Sequence, residues 1–129
     1  MPHKNVQEYV NVNDQDGLSV VITTGPYEDC RIMAEARYLL DKNKEFADVS
    51  FMIDEDFQGR GLATFLLNFL MEIAAERGVK GFAADVLLSN TAMIKVFDKV
   101  PYVQRQRLSE GVVSLKFRFD ELKESSERT

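Results

Sequence analysis

The sequence predicts an α+β domain: a mixed, mostly antiparallel sheet with a central strand–helix–strand crossover. Three observations predict it. Before residue 54 the apolar residues fall at every second position in separate short runs, the period of half-buried strands. Between 62 and 77 the period becomes helical. After it come a dense apolar strand, a shorter helix and a hairpin, so the order reads three antiparallel strands, helix, strand, helix, two strands. The unit around the long helix is expected to be a right-handed parallel crossover.

Residues 1–16 read as a polar lead-in that ends in a turn at Asp16-Gly17. Leu18 to Thr23 is rich in β-branched residues and reads as a strand. Gly25-Pro26 breaks it, and Tyr27-Glu28-Asp29 forms the loop. From Cys30 to Leu39, Cys30, Ile32, Ala34, Ala36 and Tyr38 alternate with Arg31, Glu35 and Arg37, the pattern of an antiparallel strand with one wet face. Phe46 to Ile53 is the next strand. Leu62 to Arg77 holds eleven apolar residues, and its polar exceptions Thr64, Asn68, Glu72 and Glu76 recur every fourth position as one narrow stripe on a buried helix. Gly78 stands where a left-handed cap would close that helix. Val79 to Leu87 reads as a covered central strand. Ser89 or Asn90 caps a short helix with Met93, Val96, Phe97 and Val100 on one face, and Pro101 ends it. Tyr102–Leu108 and Val112–Phe119 make the last hairpin. The domain proper therefore spans 17–119, with a polar tail over 120–129.

Composition narrows the chemistry. A chain of 129 residues fits one domain, and it buries roughly two-thirds of its unfolded surface. The net charge of −5 argues against an electrostatic nucleic-acid footprint. No apolar run approaches the ~18 residues of a membrane span, and the N-terminus lacks a signal-peptide core. One histidine, His3, and one cysteine, Cys30, exclude an internal disulfide, a Cys/His zinc site and an interior Ser-His-Asp or Cys-His pair. Cys30 reads as a core thiol, and the expectation is a cytoplasmic protein without a metal site. Catalysis is left to carboxylates, tyrosines, backbone amides or a bound cofactor.

One segment carries chemistry. The strand 46–53 runs through Asp54-Glu55-Asp56-Phe57 into Gln58-Gly59-Arg60-Gly61-Leu62-Ala63, where the long helix begins. Two glycines at a strand-to-helix turn let a ligand approach the backbone, and the first-turn N–H groups with the helix dipole favour a phosphate or pyrophosphate. A plain helix start with glycines for tight packing explains the pattern equally well. A Walker A loop is absent. A dinucleotide fingerprint fails because Thr64 stands where it needs Gly or Ala, and because the sheet is not parallel.

Gln58-x-x-Gly61-x-Ala63 after a strand and opening a long helix, with Asn90 starting the next helix, resembles the acyl-CoA loop and second conserved region of the GNAT acyltransferase superfamily. Ala47-Asp48 through Leu62 is similar to the bacterial protein-lysine acetyltransferase type and to GNAT domains fused to acyl-CoA synthetases or acetyl-CoA hydrolase/transferases. Glu8 to Val12 is similar to the start of the second strand in those fused domains. The resemblance implies that the backbone of Gly59, Arg60, Gly61, Leu62, Ala63 and Thr64 cradles the pyrophosphate of acetyl-CoA, the co-substrate. It also implies that Met52 and Ile53 pair with the pantetheine arm through their main chain, that Asn90 hydrogen-bonds that arm, and that Phe97 packs nearby. Arg60 reads equally as a phosphate partner or a solvated charge, and Asn90 as a plain helix cap.

The implied reaction is acetyl transfer to an amine, a protein lysine, by direct attack with a carboxylate base. The lysine arrives as an ammonium and must lose a proton. Asp48 stands where the resembling enzymes place a glutamate, one methylene longer; its bland alternative is a solvent-facing acid. Three departures matter. Phe97 replaces the family's tyrosine acid, for which Tyr102 is a substitute candidate; Pro101-Tyr102 replaces a Gly-Phe; and the N-terminal strand and two helices that shape the acceptor side are expected to be missing before Asn5, an N-terminally truncated form. The alternative is a non-catalytic acyl-CoA-sensing regulatory domain. A small-amine acetyltransferase and a ligand-free interaction domain are further rivals. The expected partners are the acceptor protein, a fused or neighbouring CoA-handling enzyme and a second copy in a homodimer, with neither nucleic acid nor membrane.

Overall fold

The computed structural model describes residues 6–14, 16–24 and 31–124. Cys30 and the loop from Gly25 to Asp29 lie outside the described residues, as do His3 and residues 125–129. Among the described residues seven strands form one sheet: β1 (Val6–Asp14), β2 (Gly17–Thr24), β3 (Arg31–Leu40), β4 (Phe46–Ile53), β5 (Gly81–Leu87), β6 (Tyr102–Ser109) and β7 (Val112–Leu122). Their order across the sheet is β1-β2-β3-β4-β5-β7-β6. Helix α1 (Leu62–Glu76) connects β4 to β5, and α2 (Thr91–Asp98) connects β5 to β6. Every neighbouring pair is antiparallel except β4 with β5, as a crossover through α1 requires.

Several strand ends shift by one or two residues from the sequence reading, and two boundaries differ by more. The polar lead-in contains strand β1, paired from Val6↔Thr24 to Asp14↔Gly17. It borders the sheet and has one neighbour, so it needs no continuous apolar pattern to find its place. The final strand runs to Leu122, past the expected end at Phe119, because Tyr102 of β6 pairs with Leu122.

Both helices lie on one face of the sheet. On β4 the odd residues turn toward them: Ala47 and Val49 are buried, whereas Asp48, Ser50 and Met52 face the opposite side and are exposed. Leu66, Leu67 and Leu70 of α1 meet Val20, Ala36, Tyr38, Val49 and Phe82 in a single core. Each such leucine contributes about 1.5–3 kcal/mol by leaving water. α1 ends as the sequence predicts. Gly78 takes φ 86°, its N–H donates to Ala75 O, and that of Val79 donates to Ala74 O. This double closure satisfies carbonyls the last turn would otherwise leave open. Gly81 has a packing reason of its own: a Cβ there would stand 2.1 Å from Phe117 O and 2.9 Å from the Phe46 ring.

Candidate active site

Strands β4 and β5 pair over only three positions, Phe46↔Gly81, Ala47↔Phe82 and Asp48↔Ala83. Beyond them β4 continues to Ile53 and β5 to Leu87 with no further pairing between the two. The strands splay, leaving a V-shaped gap in the middle of the sheet. Asp54 N donates to Met33 O on β3 at 2.9 Å. By strand alternation, the main-chain groups of Met52 then also turn toward β3, opposite Glu35, and those of Phe51 and Ile53 turn into the gap. Of the two residues expected to offer main-chain partners, Ile53 turns its groups into the gap and Met52 turns its groups toward β3. The Met52 side chain is 67% exposed on the face away from the helices.

A cleft of about 370 Å³ fills the helix side of this gap. Phe51 and Ile53 floor it, the turn of Gln58, Gly59 and Gly61 forms its mouth, and Asn90, Met93 and Val96 close the α2 side. The turn is built for close approach. Gly59 and Gly61 have φ of 78° and 80°, and a Cβ at either would meet nothing within 4 Å. No side chain caps α1, whose first helical bond is Phe65 N to Gly61 O at 3.0 Å. The first-turn N–H groups of Leu62, Ala63 and Thr64, all at the cleft, are thus left for an external acceptor. A phosphate group fits these residues.

The approach to the turn is braced from β3. Arg31 donates to Asp54 at 3.2 Å and to Asp56 at 2.5 Å, and its guanidinium lies 5.0 Å from the centre of the Phe57 ring. The bond to Asp56 and the charge of Asp54 raise Arg31 above its ordinary pKa. Arg60, itself exposed, covers the Phe57 ring at 5.4 Å, which places its guanidinium beside a residue of the cleft wall. Gln58 reaches back toward Ile53 O at 3.4 Å. Asn90 caps α2, its Oδ1 accepting from Met93 N at 3.2 Å. Its Nδ2 has no hydrogen bond among the described residues and remains available at the cleft wall.

Two expected positions fall elsewhere. Phe97 is 1% exposed. Its ring meets Phe51 edge-on at 6.0 Å and packs against Phe117 at 6.5 Å, so it supports the cleft floor from behind and does not line it. The short helix turns Phe97 inward with Val100, and the core claims the large ring. Tyr102 stacks on Phe117 at 5.9 Å and does not line the cleft either. Lys95 and Lys99, which sequence reasoning missed, do line it. Their i, i+4 spacing opposite the apolar face of α2 was the available signal.

Asp48 lies at the last paired rung, where the gap begins, on the face opposite the helices. A second groove, of about 390 Å³, opens there between Asp48 and Asp85 on one side and Arg105, Arg107 and Lys116 on the other. Asp85 accepts from Ser114 Oγ at 2.8 Å. The glycine turn and the acid therefore stand on opposite faces of one sheet, joined by the gap between its two central strands.

Comparison with known proteins agrees with this geometry. The family model described as Acetyltransferase (GNAT) family matches residues 4–100. Acetyltransferase Pat of Mycolicibacterium smegmatis is 35% identical over 101 residues, which is 77% of this chain and 30% of that protein. The crystal structure of the GNAT domain of S. lividans PAT superimposes with a TM-score of 0.70 at 33% identity, covering 84% of this chain and 64% of that one. The spermidine N-acetyltransferase from Vibrio cholerae, solved with CoA and spermine, shares the fold with a TM-score of 0.69 at 13% identity, covering 85% of this chain and 70% of that one. The chain spans less than a third of the length of the Mycolicibacterium protein. With a family model matched across both helices and both of the splayed strands, the chain belongs to the GNAT acetyltransferase family.

Proposed function

We propose that this domain transfers an acetyl group from acetyl-CoA to an amine, a protein lysine, by direct attack with Asp48 as the base. The splay of β4 from β5 carries the reading. It gives a ligand entering from the glycine turn a path through the sheet, and it ends at a carboxylate on the far side. The N–H groups of residues 62–64 hold the pyrophosphate, and Arg60, Lys95 and Lys99 add positive charge at or beside the cleft. Phe51 and Ile53 offer main-chain partners to the pantetheine amides, as an added strand would, and Asn90 Nδ2 adds one more donor.

Acetyl-CoA supplies a thioester carbonyl open to attack by an amine. Asp48 removes one proton of the incoming ammonium, directly or through one water, so that the nitrogen lone pair forms the new C–N bond as the C–S bond breaks, and the nitrogen then gives up a second proton to solvent to leave the neutral amide. The departing thiolate takes its proton from solvent, since no tyrosine lines the cleft among the described residues. The far face favours a macromolecular acceptor. Leu39, Met52 and Leu87 stand exposed there around Asp48, an open apolar surface suited to a protein acceptor.

Calorimetric titration with acetyl-CoA, with CoA and ATP as controls, tests the cleft. Micromolar binding, about −8 kcal/mol, with acetyl-CoA and CoA preferred over ATP supports the assignment. No heat and no thermal stabilisation at millimolar ligand would overturn it. A non-catalytic acyl-CoA sensor is the second reading, favoured by the absence of a phenol at Phe97. Asp48→Ala separates the two: an enzyme keeps binding and loses rate, whereas a sensor has no rate to lose.

A further inference from the structure

We infer that the groove on the open face of the sheet selects acceptor lysines followed or preceded, on one side only, by acidic residues three to five positions away. This rests on the acyl-transfer reading and concerns the acceptor alone. The sheet register supplies the spacing. Asp48, Ala83, Lys116 and Arg105 lie on one rung across β4, β5, β7 and β6, and Asp85, Ser114 and Arg107 lie on the next accessible rung. With strands about 4.8 Å apart, Lys116 stands roughly 10 Å and Arg105 roughly 15 Å from Asp48 across the sheet. An extended peptide advances about 3.3 Å per residue, so that span is three to five residues.

The charges are sorted, although the whole chain carries a net −5. At the gap stand two carboxylates, Asp48 and Asp85, where an ammonium must arrive. Across the groove stand three cations. Arg105 already pairs with Glu121 at 3.0 Å. Arg107 and Lys116 have no carboxylate partner among the described residues, and Lys116 Nζ is held 4.1 Å from the centre of the Phe46 ring. Nearby Asp120 is engaged by Arg118 at 2.9 Å. Two uncompensated cations on the edge side, facing two carboxylates at the gap, complement a peptide with a lysine at one end and acids at the other. Such rim charges act on choice of partner and on encounter more than on total affinity.

The test uses the full chain, acetyl-CoA and three peptides with a single central lysine. One peptide has glutamates three to five residues after it, one has them before it, and one has lysine-free basic residues (arginines) at both places. The expected result is kcat/KM about tenfold higher for one acidic arrangement than for the basic peptide, shrinking at 0.5 M salt. The double variant Arg107→Gln with Lys116→Gln removes the preference, Arg107→Glu with Lys116→Glu inverts it, and KM for acetyl-CoA stays unchanged in both. Equal rates for all three peptides would overturn the inference and leave acetyl transfer standing. If no peptide turns over, fluorescence anisotropy of the same labelled peptides decides it: acid-selective binding supports the groove, and indifferent binding overturns it. Failure of acetyl-CoA to bind would instead strike the cleft assignment.

Discussion

The two faces of the sheet are made from the same strands and do opposite work. On the helix face, Val20, Ala36, Val49, Phe82 and Phe117 are sealed beneath α1 and α2. On the other face the same strands β3, β4 and β7 carry Arg37, Asp48, Ser50, Met52 and Lys116, all left to solvent. The difference teaches where stability and chemistry separate. A change on the covered face leaves a void in a close-packed interior, whereas a change on the open face removes a charge that the fold does not need. The glycine turn belongs to neither, because it depends on backbone conformation.

The separation can be broken in order of expected effect. Asp48→Asn should lower kcat by ~10²–10⁴-fold while leaving the thermal midpoint unchanged, since the exposed side chain makes no hydrogen bond or ion pair among the described residues; steady-state kinetics beside a melting curve read both. Leu66→Ala should do the reverse. The side chain is 0% exposed, so urea unfolding should show a loss of about 2–5 kcal/mol, with activity per folded molecule retained. Asn90→Ala tests a residue that serves both purposes. Losing the cap on α2 should cost about 0.5–2 kcal/mol, and acetyl-CoA affinity should fall with it. If stability alone falls, Asn90 is a cap and nothing more.

The smallest effect is a matter of pH. A hydrogen bond from Arg118 holds the Asp120 carboxyl below its ordinary pKa. A depressed carboxylate stabilises the fold above its unfolded pKa, and that contribution is lost as pH falls through the folded value. Urea curves of Asp120→Asn and the parent should therefore differ slightly near neutrality and converge below about pH 4.

Much of this was legible in the sequence because local chemistry specifies it. Alternation from Ala34 to Leu39, the polar stripe of α1 and the glycines at 59, 61 and 78 each describe their own backbone, whereas at Ile32, expected on the apolar face, a register shift against β2 leaves the side chain exposed and buries Met33 instead. β1 was missed because an edge strand with one neighbour can keep a polar composition. Phe97 was assigned to the ligand because its helix position fits both a cleft and a core, and only the rings of Phe51 and Phe117 decide between them. The row of Arg105, Arg107 and Lys116 was invisible for another reason. Its members come from two strands, and they meet Asp48 only once the sheet order interposes β5.

The three-rung contact between β4 and β5 has a mechanical consequence. Four strands lie on one side of it and three on the other, and within the sheet only that short seam joins the two blocks. A chain of amides laid into the gap would add rungs where the protein supplies none. The ligand would then be a structural member of the sheet as well as its reactant, and the two blocks would stand most firmly together only while the reaction has something to act on.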